Sequence, residues 1–133
     1  MGYVQKKMKI SKSILKKIKE KKPKILVIGD IMLDKFIYGN VNRISPEAPI
    51  PIVDYIEERK MLGGCGNVIK NLINIGVDAS IISVIGRDSS GEMIKDQLLD
   101  INVPVSSLFE IKESPTTVKT RIIGDNQQLV RVD

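Results

Sequence analysis

With 133 residues, 42% of them hydrophobic, and no low-complexity stretch, the chain is long enough for one domain with a real core. It has no His and a single Cys65, which excludes Ser-His-Asp triads, Cys-His pairs, histidine metal sites, internal disulfides and CxxC zinc sites, so no metal centre is expected. The net charge of +5 is local: residues 1–24 carry ten Lys and one Glu, about +9, whereas residues 25–133 carry eleven Lys or Arg against fifteen Asp or Glu, about −4.

A mildly acidic body is unlike a nucleic-acid reader, which spreads basic charge over its folded face, so no nucleic-acid partner is expected. No apolar run reaches the length of a membrane span and the N-terminus lacks an apolar signal core. No membrane partner and a cytoplasmic location are therefore expected, and the lone Cys fits a reducing compartment.

In chain order, residues 1–23 read as a Lys-rich helix with a narrow apolar stripe of Ile10, Ile14 (or Leu15) and Ile18. Docking on the domain is the expected use of that stripe; binding to an anionic surface is the alternative. "PKILVIGD" is a continuous apolar run ending in Gly, and predicts a buried parallel strand from Ile25 to Ile28. "DKFIYG" continues extended, and "PEAPIPIVDYIEE" carries three prolines, which confine it to an edge strand or flap.

Val68, Leu72 and Ile75 recur at helical spacing, so a helix is expected from about Gly66 to Ile75, with Gly76 taking positive φ just past its end. "ASIISVIG" is the next buried strand. "RDSSGEMIKDQLLDIN" is a helix capped by Asp88 or Ser89, with Ile94, Leu98 and Ile101 on its apolar face. "VPVSSLFEI" gives a third strand. "TTVKTRIIGDNQQLVRVD" places two extended runs around Gly124-Asp125-Asn126, a hairpin expected to join the Pro-rich flap. The alternation of strands and helices predicts an α/β fold with a parallel sheet, flanking helices and a small β-sheet lid. The sequence ends at Asp133, directly after a strand, and a fragment is expected.

The glycine turn Gly63-Gly64-Cys65-Gly66 is not a Walker loop, because no GxxxxGK[ST] string occurs. It is not a dinucleotide loop either: Gly64-x-Gly66 is followed by Ile69 where a third Gly is needed. Glycines do allow close approach of a ligand to the backbone, and Asn67 offers a donor and an acceptor. Asp30 and Asp34 follow the first strand, where open α/β sheets bind ligands. A carboxylate beside a Gly-Gly-x-Gly-Asn turn suits a polyol. Cys65 is expected to be a small residue without chemistry.

"ILVIGDIMLD" followed by "GGCGNVIKNLINIGVDASIISVIGRDSSG" resembles the N-terminal signature of the PfkB/ribokinase-like carbohydrate kinases, over nearly all of the chain from Lys24 onward. Within that family, "RISPEAPIPIV" and "TVKTRIIGDNQQLVRVD" are similar to the D-glycero-β-D-manno-heptose-7-phosphate kinases of lipopolysaccharide-core synthesis. The resemblance implies a partial ribokinase-like fold over residues 24–133, with lid segments at about 36–56 and 116–133. It implies that Asp34, Gly63, Gly64 and Asn67 bind sugar hydroxyls, that Lys119, Arg121 and Arg131 hold the sugar phosphate (Arg43 less directly), and that the lid pairs two subunits into a homodimer.

In the complete enzyme ATP and Mg²⁺ are implied as cofactors, with the general base in a second Gly-Ala-Gly-Asp-like turn expected beyond Asp133. No catalytic residue and no cofactor are therefore assigned to this chain, which is expected to be inactive alone; a nucleotidyltransferase domain follows in bifunctional members of the family. The alternatives are a ribokinase- or fructokinase-like enzyme, a non-catalytic sugar-phosphate binding or dimerisation module, and a basic-helix adaptor acting through residues 1–24.

Overall fold

A computed structural model describes residues 12–133. Residues 1–11 lie outside the described residues, and with them the first part of the expected basic helix, including Ile10. The elements run α1 (Lys12–Lys21), β1 (Lys24–Ile28), β2 (Ile31–Ile44), β3 (Pro51–Gly64), α2 (Cys65–Asn74), β4 (Asp78–Gly86), α3 (Ser89–Asp100), β5 (Leu108–Ile111), β6 (Val118–Gly124) and β7 (Gln127–Val132). No helix among the described residues is long and apolar enough to cross a membrane.

Two sheets result. The core sheet is parallel, in the order β1-β4-β5, with Ile25 opposite Ala79 and Ser83 opposite Leu108. The lid sheet is mixed, in the order β3-β2-β6-β7: β2 is antiparallel to β3 and parallel to β6. The Pro-rich segment supplies the edge strand β3, and Pro51 is its first residue, where a missing N–H costs no ladder bond. The closing hairpin turns through Asp125 and Asn126, both at positive φ, as a tight two-residue hairpin requires.

β4 alternates strictly: Ala79, Ile81, Ser83 and Ile85 are buried, Ser80 and Val84 exposed. α2 and α3 cover the buried face. Ile69, Ile94 and Leu98 are fully enclosed there, each such side chain worth roughly 1.5–3 kcal/mol of burial. α3 keeps the expected face of Ile94 and Leu98, with Ile101 packed at its end.

Two expectations are corrected. In α2 the inward face is Gly66, Ile69, Leu72 and Ile73, whereas Val68 is 48% exposed and Ile75 caps the helix end. An apolar residue stands at nearly every second position here, so more than one helical stripe can be drawn and packing decides. β1 is not a buried strand: Leu26 is 52% and Ile28 70% exposed. Among the described residues it has β4 as its one sheet neighbour; Val27 packs against the core, while Ile25 is 38% exposed.

Both helices end as glycine- and asparagine-type caps should. Gly76 (φ 93) and Asn102 (φ 60) bend the chain, and Val77 and Val103 donate back to Leu72 and Leu98 carbonyls at 3.0 and 2.9 Å. Ile18 of α1 packs against the core.

Candidate functional site

The site lies where β1 hands over to β2. Ser83, buried on β4, fixes that turn: its Oγ donates to the Gly29 carbonyl at 2.6 Å and accepts from the Ile31 N–H at 3.0 Å. Asp30 is thereby held at the C-terminal end of the core sheet. A cleft of about 330 Å³ opens beside it, lined by Asp30, Met32, Val84, the 114–117 segment and Lys119. It separates the core sheet from the root of the lid.

Asp34 is the fourth residue of β2 and half-buried. Its Oδ1 accepts from Arg121 Nη1 at 2.6 Å, a charge-assisted bond between side chains 20% and 23% exposed. The Arg121 guanidinium also lies 5.1 Å from the Phe36 ring centre, a cation–π contact. On the other side Asp34 Oδ2 fills the space that a side chain at Gly63 would occupy: a Cβ there would stand 2.5 Å from that oxygen. Gly63 is therefore required for the carboxylate to lie against the backbone. Lys119 is in register with Asp34, on the same face as Arg121 by strand alternation. Asp34, Gly63, Lys119 and Arg121 thus come together.

The other predicted residues are placed differently. Gly64 adopts φ 57, and a Cβ there would collide with the Asp30 carbonyl, which instead accepts from the Cys65 N–H at 2.9 Å. Its freedom serves the chain's own close packing. Asn67 is exposed in the first turn of α2. Arg131, opposite Arg121 on β7, is exposed and pairs with Asp133 at 3.0 Å. Arg43 is exposed near the far end of β2. Cys65 Sγ donates to the Gly29 carbonyl at 3.3 Å, and burial pushes its thiol up, away from the thiolate a nucleophile needs.

Sequence reading missed a clamp at the base of the lid. Asp88 caps α3 as expected, Oδ1 accepting from the Gly91 N–H at 2.8 Å, but Oδ2 also accepts from the Thr116 N–H at 2.8 Å. The Thr116 bond, then the Gly91 bond, hold the Asp88 carboxyl below the usual range. Buried Thr116 returns the contact, its Oγ1 accepting from the Gly86 N–H at 2.9 Å. Leu33 N–H donates to Thr117 at 2.9 Å, so the clamp leads directly into β2 and β6. Ser83 carried a signal, a polar residue at a buried position of an apolar strand. Thr116 carried none, because its partners are remote in sequence.

The arrangement can bind hydroxyls through Asp30 and Asp34, and an anion through the lid cations. Among the described residues no three acidic or thiol side chains converge where a cation could sit. The glycine turn packs on Asp30, Leu62 and Ile31, and does not form a triphosphate cradle.

Residues 22–133 match the family described as pfkB family carbohydrate kinase. "Bifunctional protein HldE" of Campylobacter concisus is 44% identical over 113 residues, covering 85% of this chain and 24% of that protein. The protein of the same name from Nitratiruptor sp. is 47% identical over 112 residues, covering 84% of this chain and 24% of its own length. The chain therefore spans about a quarter of the length of these relatives. A carbohydrate kinase from Agrobacterium tumefaciens superposes with TM-score 0.67 at 24% identity, over 83% of this chain and 34% of that one. The ribokinase of Arabidopsis thaliana gives 0.64 at 17% identity, over 83% and 35%. The fold is ribokinase-like, and the chain belongs to the pfkB family of carbohydrate kinases.

Proposed function

We propose that this chain is the sugar-binding and lid portion of an ATP-dependent kinase for heptose 7-phosphate, which phosphorylates the anomeric hydroxyl in ADP-heptose and lipopolysaccharide-core synthesis. The observation that carries the reading is the meeting of Asp34, Gly63 and Arg121, with Lys119 in register with Asp34 and lining the cleft, in a chain whose relatives are bifunctional HldE proteins. A carboxylate laid against a glycine backbone accepts bonds from hydroxyls, and a cation on the lid neutralises a phosphate. ATP and Mg²⁺ belong to the larger part of such an enzyme. What these residues contribute is substrate position, on which phosphoryl transfer depends.

A homodimer through the lid is part of this reading. On the lid face turned away from Arg121, Ile50, Val53, Ile122, Leu129 and Val130 line an apolar hollow of about 290 Å³, the kind of surface that a second subunit would cover.

A thermal melt with heptose 7-phosphate, fructose 6-phosphate and ribose tests the substrate. Ligand at about 100 times its Kd adds about 2.7 kcal/mol to native stability, so the midpoint rises with the heptose phosphate and not with the controls. An equal rise with fructose 6-phosphate or ribose transfers the chain to a fructokinase- or ribokinase-like role.

A further inference from the structure

The two lid cations beside Asp34 are in different states. Arg121 is committed on two sides, bonded to Asp34 at 2.6 Å and stacked over Phe36 at 5.1 Å. A phosphate reaching it would meet a guanidinium whose charge the half-buried Asp34 carboxylate already offsets, with one N–H given to that carboxylate and one face against the Phe36 ring. Lys119 is two residues earlier on β6, on the same face, and lines the cleft. Its one carboxylate within 4 Å among the described residues is Asp133 at 3.9 Å, beyond hydrogen-bond distance. An anion in the cleft meets an ammonium with donors to give.

We propose that Lys119 is the anion-binding residue of the cleft, and that Arg121 is a positioning residue which fixes the plane of the Asp34 carboxylate for hydroxyl recognition. Arg121 grips one oxygen and the Gly63 backbone limits the other, so the carboxylate is oriented from both sides while each oxygen keeps acceptor capacity. The Arg121 role rests on the sugar-kinase reading above; the Lys119 role stands on charge and cleft geometry alone.

The test uses the full chain and the variants Lys119→Met, Arg121→Met and Arg121→Lys, with three probes: inorganic phosphate, unphosphorylated heptose and heptose 7-phosphate, each titrated calorimetrically. Lys119→Met is expected to weaken inorganic phosphate and heptose 7-phosphate by at least about tenfold, and to leave unphosphorylated heptose within about twofold. Arg121→Met is expected to leave inorganic phosphate within about twofold and to weaken both sugars by the same factor, so the ratio of the two sugar affinities is unchanged. Arg121→Lys keeps a charge near Asp34 without the planar fork, and restores part of the loss. If Arg121→Met is poorly folded in a melt, Arg121→Lys carries the same ratio comparison.

Loss of inorganic phosphate in an Arg121 variant, a change in the sugar ratio there, or wild-type indifference to inorganic phosphate overturns the assignment. Phosphate binding that depends on Lys119, with neither sugar bound, removes the sugar reading and the Arg121 role together and leaves the anion site standing.

Discussion

Along β2 the molecule changes character within a few residues. Ile31 and Leu33 are 3% and 1% exposed and belong to the core, whereas from Asp34 to Tyr38 every residue is half-exposed. The core sheet is held by apolar side chains of α2, α3 and β4. The lid is held by its ladder and by charge: Lys35 and Lys60 flank Glu58 at 2.9 and 2.8 Å and depress its carboxyl, Arg59 meets Glu57, and Arg121 meets Asp34. Apolar burial has no charge to screen or titrate, while exposed ion pairs are screened and weak. The core therefore supplies stability, and the lid is the part whose contacts salt can weaken.

The largest test of that division is Leu98→Ala. Leu98 is fully enclosed beneath the core sheet, and its truncation leaves a cavity costing about 2–5 kcal/mol. Tyr55 in the lid is 64% exposed, and Tyr55→Ala is expected to fall within about 0.5 kcal/mol of wild type. Chemical denaturation of both variants reads the contrast. Comparable losses would mean the lid carries the fold as much as the core does.

The clamp at Asp88 is where the two regions are tied, so its loss ranks second. Asp88→Ala removes the α3 cap, at about 0.5–2 kcal/mol, and also frees Thr116 at the base of the lid. Because the folded-state carboxyl is held below its unfolded value near 3.8, the stabilisation is present above that value and is lost as pH falls through the folded one. Wild-type and variant stabilities should differ at neutral pH and converge below roughly pH 4. A gap that persists into strong acid would assign the effect to packing and not to the carboxylate.

This division also accounts for what could be read in the sequence. The elements and the hairpin were legible because period-2 and period-3.6 patterns and turn residues are local signals: Ile94 and Leu98, Gly76, Asp125-Asn126. The burial of β1 was not, because the same apolar run serves a covered or an uncovered strand and only its neighbours decide. Asp34, Gly63, Lys119 and Arg121 were legible as candidates through family strings, and their neighbourhood follows from the pairing of β2 with β3 on one side and β6 on the other. The pairing of Asp34 with Arg121, 87 positions apart, and of Asp88 with Thr116 depends on side-chain reach across elements, which no spacing in the chain encodes.

The smallest effect is the most local. Asn126 closes the β6–β7 hairpin at φ 66, a conformation Gly adopts without strain and Asn adopts at modest cost. Asp125 is the poorer choice for substitution, because its Oδ1 accepts from the Val41 N–H at 3.4 Å, a bond that Gly would lose. In Asn126→Gly the relief of turn strain works against the greater freedom of Gly in the unfolded chain, so a net gain of only about 0.5 kcal/mol or less is expected. Where it appears matters more than its size. If lid and core open separately, amide exchange should slow in β6 and β7 while the amides of β4 and α3 keep their wild-type rates. Equal slowing in all four would show that the lid opens only when the whole molecule does, and the exposed, charge-held sheet would then be as cooperative as the apolar one beneath it.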